Sequence, residues 1–175
     1  QNAARALEQL EKLEVLSRQA QRELRLLIFE FRPFALGENG IVRALQERLD
    51  IVEKHAGVKT ALEISGSHAV PSEWEMELYG VAMEALNNAL RHGDPASVRV
   101  RLAGSPSGAR LEVIDDGKGF TPGEGSGGLG LSTMRERCEK IGGRLESERA
   151  PGRGTAVRVT LGAPPSAALQ SEDAP

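Results

Sequence analysis

A chain of 175 residues can hold one globular domain with an appended segment, and 39% hydrophobic with 27% charged residues is an ordinary globular composition. The formal net charge of −3, without a long run of basic residues, argues against a nucleic-acid-binding protein, which usually presents a basic face. The single cysteine excludes a disulfide framework or a cysteine-based zinc site within the chain, and no apolar run approaches the roughly 18 residues of a membrane-spanning helix.

Residues 1–33 are predicted to form one long helix that carries a continuous apolar stripe. The stripe recurs in steps of three or four residues and comprises Leu7, Leu10, Leu13, Leu16, Ala20, Leu24, Leu27 and Phe31. A helix of about 30 residues spans about 45 Å, which is too long to lie on one small core. It therefore needs partner helices, as in a coiled coil or a bundle, before Pro33 ends it.

A second domain is predicted over residues 38–161. Its predicted helices cover 40–55, 72–91 and 131–141, and its predicted strands cover 58–65, 97–102, 110–115, 144–149 and 155–161. This order of elements predicts an α+β fold, a two-layer sandwich of a mixed β-sheet with helices on one face. The remaining residues, 162–175, are rich in alanine, proline and serine and are predicted to be a disordered tail.

Two local signals define the helices of this domain. The first helix would bury one apolar face made of Ile41, Val42, Leu45, Leu49 and Val52. At the start of the second helix, Ser72 and Glu75 have the spacing of a capping box.

Glu84 and Asn88 stand four residues apart near the end of the helix over 72–91 and so share one face. Asparagine lowers helix stability because its side chain competes with the backbone for hydrogen bonds, so the pair of Asn87 and Asn88 needs an explanation. An amide oxygen is a good ligand for Mg²⁺, and a carboxylate one turn earlier could serve as a base. Taken alone, these residues also fit an ordinary solvated polar face.

Asp115 ends an apolar strand, where a ligand pocket would lie, and Asp116, Gly117 and Gly119 follow it. A buried carboxylate can accept a hydrogen bond from the exocyclic amine of adenine, whereas guanine offers no amine at that position. Glycines remove side chains where the backbone must approach a ligand closely. The alternative is a tight turn with ordinary Asp-Gly chemistry.

A glycine-rich loop over 125–131 leads into a helix N-terminus, where free backbone amides can bind an anion. It is not a Walker loop, because it lacks Gly-Lys-Ser/Thr, and its spacing and preceding strand differ from the dinucleotide fingerprint. A fourth stretch, 152–159, carries Gly154 and Thr155 in a hairpin. Singly, the loop also fits a flexible linker, and the hairpin fits an ordinary sheet edge.

In this order and spacing, the four stretches together resemble the histidine kinase branch of the GHKL ATPase superfamily, which also contains gyrase, Hsp90 and the mismatch-repair ATPases. The resemblance covers about residues 38–161. The family's boxes are matched by Glu84, Asn88, Arg91 and His92, by Asp115, Gly117 and Gly119, by Gly128 and Gly130, and by Gly154 and Thr155. The Met-Arg-Glu-Arg run at 134–137 and the segment 22–33 resemble the subfamily with a short ATP lid, as in nitrate-sensor and desaturase-regulating kinases.

The resemblance implies that the chain binds ATP and Mg²⁺. It implies that Asn88 ligates the metal and that Asp115 reads adenine with the support of Thr155. Glu84 and Asn88 would be the catalytic residues, acting near the metal and the γ-phosphate. The further ATP-binding residues that it implies are Arg91, His92, Gly117, Lys118, Gly119, Gly128, Leu129, Gly130 and Leu131.

None of the three histidines, His55, His68 and His92, lies where this family carries its phosphoacceptor, so the acceptor helix is expected to be missing from the chain. Residues 1–33 would be the second helix of a dimerising hairpin, through which the parent forms a homodimer; in this chain they would self-associate or fray. The resemblance implies a cytoplasmic kinase domain whose parent passes phosphate to a response regulator, with no nucleic-acid or membrane contact. The chain, which starts at Gln1, is expected to be part of a longer protein that binds ATP but does not label itself efficiently in this form.

Two other interpretations remain open. An anti-sigma-type serine kinase of the same superfamily shares the nucleotide pocket, although the long N-terminal helix ending in Arg32-Pro33 argues against it. A non-catalytic adaptor, with a coiled-coil helix and glycine loops as mere connectors, would bind no nucleotide. A melting shift with Mg²⁺-ATP and none with Mg²⁺-GTP would distinguish the kinase from the adaptor.

Overall fold

The chain divides into two compact units, Gln1–Phe34 and Ala35–Pro175. The computed structural model describes residues 9, 10, 12–14, 16, 40–66, 70–105, 107–119, 129–149 and 154–162. Within these residues, no helix is both long enough and apolar enough to cross a bilayer. The predicted disordered tail beyond 162, and His68, lie outside the described residues.

In the first unit, the described residues between 9 and 16 are helical, in agreement with the predicted N-terminal helix. Leu10, Leu13 and Leu16, which belong to the predicted apolar stripe, are 60–64% exposed. The remainder of the stripe and Pro33 lie outside the described residues, so the length of this helix stays a prediction.

The described part of the second unit contains three α-helices and five strands. The helices are α1 Gly40–Ala56, α2 Ser72–Asn88 and α3 Leu129–Lys140, and a π-helical turn, Ala89–Gly93, follows α2. The strands are β1 Lys59–Gly66, β2 Ser97–Ser105, β3 Gly108–Asp115, β4 Arg144–Arg149 and β5 Thr155–Gly162. Each predicted element is therefore present, with ends displaced by up to three residues, and Gly162 belongs to β5 rather than to the predicted tail.

The five strands form one sheet in the order β1-β2-β3-β5-β4. β1 and β2 pair in parallel, because α2 crosses over between them, and the other neighbours are antiparallel. The helices α1, α2 and α3 share one apolar core with the sheet. This arrangement confirms the predicted α+β two-layer sandwich of a mixed sheet with helices.

Alternate residues of the strands supply the sheet's part of the core. Two neighbouring rows across β2, β3 and β5 are Val100–Val113–Val157 and Leu102–Leu111–Val159. Each of these residues is at most 6% exposed, and fully burying such a side chain stabilises the fold by about 1.5–3 kcal/mol. The helices contribute Ile41, Leu45, Leu49, Leu78, Val81, Leu86 and Met134.

The residues between these rows point to the other face of the sheet and form a row of alternating charge. In register across β1, β2, β3, β5 and β4, this charged row consists of Glu63, Arg101, Glu112, Arg158 and Glu146. Opposite charges that face each other across strands stabilise a sheet. Glu112 lies at the centre of the row, and its side chain is only 5% exposed because arginines surround it.

The start of α2 differs from the sequence prediction. The helix begins at Ser72 with Pro71 in the N-cap position and no side-chain cap bond, so the predicted capping box is wrong. The N–H of Trp74 donates to the carbonyl oxygen of Pro71 at 3.0 Å, which fixes the cap one residue earlier than the box requires. The Glu75 carboxylate lies instead against Gly40 at the start of α1.

Two positions of α1 differ from the predicted apolar face. Val42 is 41% exposed, whereas Arg48, which periodicity did not assign to that face, is 8% exposed. Arg48 stands three residues after Leu45 and four before Val52, in the middle of the buried stripe. A search for apolar residues overlooks a buried guanidinium, so this position could not be found from the pattern.

Cys138 offers a test of this packing, because it is the only cysteine of the chain and lies 1% exposed within α3. Burial raises the pKa of its thiol, and the thiolate is the reactive form. We expect the native chain to react with a disulfide reagent about 100-fold more slowly than the unfolded chain, because labelling requires local opening. Labelling at the unfolded rate without denaturant would contradict the described packing of α3.

Candidate functional site

A cleft opens beside the C-terminal end of α2, between α3 and the strands β3, β4 and β5. It encloses about 630 Å³ of space free of protein atoms, part of which is open solvent. The residues of the sequence prediction that line it are Asn88, His92, Asp115, Gly119, Leu131 and Thr155. The structure therefore brings the carboxamide of α2 and the carboxylate at the end of β3 to one cleft.

Asp115 is the last residue of β3 and is 5% exposed. The N–H of Gly117 donates to its Oδ1 at 2.9 Å, and Thr155, its partner in register on β5, also donates to it. Burial raises the pKa of Asp115 above its usual value of 3.8, although the hydrogen bonds from Gly117 and Thr155 oppose the rise. A buried carboxylate held in this way is suited to accept a hydrogen bond from a ligand amine.

Asp116 follows directly but has a different role. Its Oδ1 accepts hydrogen bonds from the N–H groups of Ala96 and Ser97, both at 2.8 Å, and its Oδ2 accepts one from the Ser97 hydroxyl at 2.8 Å. These bonds from Ser97 and Ala96 lower the pKa of Asp116 below its usual value. Asp116 therefore ties the start of β2 to the end of β3, while Asp115 lines the cleft.

The C-terminal end of α2 lies close to the start of α3. A Cβ atom placed on Gly130 would collide with the Oε1 atom of Glu84 and would lie 3.1 Å from the Nδ2 atom of Asn88. A side chain at this position would displace the two polar groups from their present positions. The predicted pair of Glu84 and Asn88 and the predicted Gly130 lie together.

The helix α2 does not continue to Arg91 as predicted. Its α-helical part ends at Asn88, and Ala89–Gly93 wind into a π-helical turn that is followed by Asp94 with a φ of 49°. The wider turn brings Ala89, His92 and Gly93 to the cleft. Turns of this type occur frequently at functional sites.

Lys118 fastens this turn to the loop after β3. Its N–H donates to the carbonyl oxygen of Gly93 at 2.7 Å, and its Nζ lies 3.2 Å from the carboxylate of Asp94. Lys118 and Arg91 do not line the cleft, so their predicted contacts with a ligand stay predictions. Gly128 and the side chain of Leu129 lie outside the described residues.

Sequence reasoning missed most of the apolar wall of the cleft. The missed lining residues are Ala85, Ala89, Gly93, Val113, Met134 and Val157, together with the polar Ser147. The alternation of a strand could have identified Val113, because it stands two residues before Asp115 and faces the same side. No signal in the sequence distinguishes Ser147, because its place at the cleft follows from the pairing of β4 with Val157 of β5.

Comparison with known sequences assigns a family to this arrangement. Residues 74–165 match the family described as Histidine kinase-, DNA gyrase B-, and HSP90-like ATPase. The chain is 32% identical over 158 residues to the sensor histidine kinase LiaS of Bacillus subtilis, covering 90% of this chain and 44% of that protein. It is 34% identical over 148 residues to the sensor histidine kinase YhcY of the same species, covering 83% and 38%. The chain thus spans less than half the length of these relatives.

Solved structures agree with this assignment. The histidine kinase domain of the blue-light-activated kinase EL346 from Erythrobacter litoralis has a TM-score of 0.55 at 25% identity, covering 84% of this chain and 74% of that one. The full-length kinase ShkA, solved in complex with AMPPNP, has a TM-score of 0.59 at 16% identity, covering 86% and 36%. At that identity, the second likeness shows the fold alone.

Proposed function

Since the chain belongs to the histidine kinase-, DNA gyrase B-, and HSP90-like ATPase family and carries the ATP-binding domain of a sensor histidine kinase, we propose that its cleft binds ATP with Mg²⁺ for phosphoryl transfer. The γ-phosphate passes to a histidine of the longer protein and from there to an aspartate of a response regulator. The observation that carries the proposal is that Asn88 and Asp115 line the same cleft.

Asp115 is the residue that recognises adenine. Its carboxylate accepts a hydrogen bond from the exocyclic amine, and the Thr155 hydroxyl and the Gly117 N–H hold it in place. The buried valines Val113 and Val157 offer an apolar surface to the base. Guanine carries an oxygen where adenine carries the amine, so a carboxylate there repels it.

Asn88 and Glu84 act at the phosphate end of the cleft. Their oxygens are the hard ligands that Mg²⁺ prefers, and Gly130 leaves room beside both side chains. Among the described residues, no three His, Cys, Asp or Glu side chains form a metal cluster. In the proposed complex, Asn88 holds the ion together with the phosphates of ATP, and Glu84 acts near the ion and the γ-phosphate.

The loop sequence immediately before α3 offers no cationic side chain to neutralise the phosphates of ATP. Positions 121–127 contain no Lys or Arg. Neutralisation therefore falls to Mg²⁺, to Lys118 or Arg91, and to backbone amides such as those at the start of α3. His92, which lines the cleft, also lies near the proposed phosphates.

In the proposed longer protein, this chain belongs to a cytoplasmic kinase domain, and the longer protein forms a homodimer. The exposed Leu10, Leu13 and Leu16 support self-association of the N-terminal unit, because an isolated helix does not usually leave an apolar stripe in water. The acceptor histidine lies on another segment of the parent, so the chain alone binds ATP without labelling itself efficiently. No observation on the described residues favours the adaptor interpretation over this one.

The melting temperature in the presence of nucleotides tests the proposal. At about 100 times the dissociation constant, Mg²⁺-ATP should raise the melting temperature by about 5–10 °C, because a ligand of the native state stabilises it. Mg²⁺-GTP at the same concentration should give no shift. No shift at millimolar Mg²⁺-ATP would overturn the kinase interpretation in favour of the adaptor.

Asn88→Ala tests the metal assignment. We expect the variant to bind ATP in EDTA with the same affinity as the unsubstituted chain. The factor by which Mg²⁺ increases the ATP affinity should be about tenfold smaller in the variant. Isothermal titration of both chains with ATP, in Mg²⁺ and in EDTA, separates the two contributions. The metal assignment fails if Mg²⁺ strengthens ATP binding equally in both chains.

A further inference from the structure

A buried arginine joins α1 to the end of α2 behind the cleft. The Arg48 side chain lies in the apolar face of α1, 8% exposed, and its Nη2 lies 3.4 Å from the Oδ1 atom of Asn87. Tyr79 is 8% exposed on the same helix as Asn87. Burial raises the pKa of Tyr79, while the positive charge of Arg48 opposes that rise.

The partner of Arg48 has a special position in α2. Asn87 is the last residue but one of the α-helical part, immediately before Asn88 and the π-helical turn Ala89–Gly93. Adjacent helical residues point about 100° apart, so the two asparagine side chains face different neighbours. Asn87 meets α1, while Asn88 lines the cleft.

Packing alone does not account for a guanidinium at this place. Burying an arginine costs free energy, and an apolar side chain of similar volume often stabilises a fold as well or better. A π-helical turn is also less favourable than an α-helix, so the chain needs contacts that keep the transition at Asn88. If the turn relaxed to an α-helix, the His92 side chain and the backbone of Gly93 would rotate relative to the cleft.

We infer that Arg48 is a positioning residue that, through the side-chain amide of Asn87, fixes the last α-helical turn of α2 so that Asn88 faces the cleft. The consequence for Mg²⁺-ATP rests on the proposed function, whereas the effect on the helix does not. Residues that orient a metal ligand in this way typically change metal affinity or activity by about 10–100-fold when they are removed.

The first test needs no ligand. Arg48→Met replaces the guanidinium with an apolar, unbranched side chain. Arg43→Met, at an exposed arginine of the same helix, is its matched control. The backbone amides of residues 89–93 should exchange hydrogen faster in Arg48→Met and Asn87→Ala than in the unsubstituted chain. Their exchange should not change in Arg43→Met. Unchanged exchange in Arg48→Met would overturn the inference, whatever the chain binds.

The second test measures the ratio of ATP dissociation constants in EDTA and in Mg²⁺. Arg48→Met and Asn87→Ala should each reduce this ratio by about tenfold, and the double variant should reduce it no further, because the two residues act as one unit. Additive losses in the double variant would show that the two residues act independently. A lower melting temperature with an unchanged ratio would show a purely structural role. Either result would overturn the inference. Failure of the parent chain to bind ATP would refute the proposed function and leave the exchange result to decide on the positioning role.

Discussion

Replacing Asp115 by asparagine should weaken ATP binding by at least about 100-fold, which corresponds to about 2.7 kcal/mol, while the chain remains folded. The carboxylate accepts hydrogen bonds from Gly117 and Thr155 and, in the proposed complex, from the amine of adenine. An asparagine amide would present a donor to one of these donors. In a buried site, that leaves polar groups unpaired, which costs more than a weakened contact in water.

The matched control for this variant is the neighbouring carboxylate. Asp116→Asn should lower the free energy of unfolding by about 1 kcal/mol, because its bonds to Ala96 and Ser97 lose their charge, and should leave ATP affinity unchanged. Titration calorimetry and denaturant unfolding of both variants separate binding from stability. Equal losses of ATP affinity in the two variants would contradict the role given to Asp115.

The pH dependence of stability gives the Asp115 prediction a second readout. Because the pKa of Asp115 is raised in the folded chain, its ionisation opposes folding, and this destabilisation grows as the pH rises from 3.8 through the raised pKa. Without nucleotide, the free energy of unfolding of Asp115→Asn should therefore rise relative to that of the unsubstituted chain as the pH increases from 3.8 through the raised pKa, in addition to a constant cost of the amide facing Gly117 or Thr155. Below a pH of 3.8 the difference between the two chains should no longer change with pH, because the carboxyl group is protonated in both states. A difference that moves in the opposite direction over this range would contradict the sign.

The elements and the two ends of the cleft could be predicted from the sequence because each has a strong local signal. The spacing of Glu84 and Asn88 and the strand that ends at Asp115 depend on residues near one another in the chain. That the two groups share a cleft required the family resemblance, because periodicity does not order the strands. The pairing of β3 with β5, which joins Asp115 to Thr155, is a non-local contact of this kind.

Other features escaped prediction because they depend on tertiary contacts that leave no pattern. Arg48 is buried where its guanidinium meets Asn87 of another helix, and no rule of periodicity assigns an arginine to a core. The π-helical turn Ala89–Gly93 has no composition signal, since the same residues would also continue an α-helix. The capping box at Ser72 had the correct spacing, but Pro71 supplied the cap one residue earlier.

The strand β3 shows how one element serves the cleft and the outer face of the sheet together. Asp115 and Glu112 stand three residues apart, so alternation places them on opposite faces. Both carboxylates are buried, yet their pKa values move in opposite directions. Burial raises the pKa of Asp115, whereas for Glu112 the positive charges and hydrogen bonds of Arg110 and Arg158 outweigh the effect of burial on the pKa. The first carboxylate is therefore available to a ligand, and the second is satisfied within the protein.

Glu112→Gln should be strongly destabilising, with a loss of about 2–3 kcal/mol in the free energy of unfolding at neutral pH. The Oε1 atom of Glu112 lies 2.7 Å from Arg110 Nη2 and 2.9 Å from Arg158 Nε, and its Oε2 lies 3.7 Å from Arg101 Nη1. A glutamine would remove the anion that these arginines share, although Arg101 would keep Glu63 and Arg158 would keep Glu148, and it would direct an amide donor toward one of the guanidinium groups. Denaturant unfolding of the parent and the variant measures the loss.

Glu146→Gln is the matched control, because Glu146 ends the same charged row but is 50% exposed, 3.0 Å from Arg144. The free energy of unfolding of Glu146→Gln should fall by no more than about 0.5 kcal/mol, as for other exposed ion pairs. Burial alone would raise the pKa of Glu112, but Arg110 and Arg158 hold it below its usual value of 4.5, so the stability that Glu112 contributes is present above that pH. As the pH falls below 4.5 and through the lowered pKa, the parent chain loses this contribution and the gap to Glu112→Gln should close. A gap that persists in acid, or equal losses in the two glutamine variants, would show that the charge of Glu112 does not stabilise the sheet.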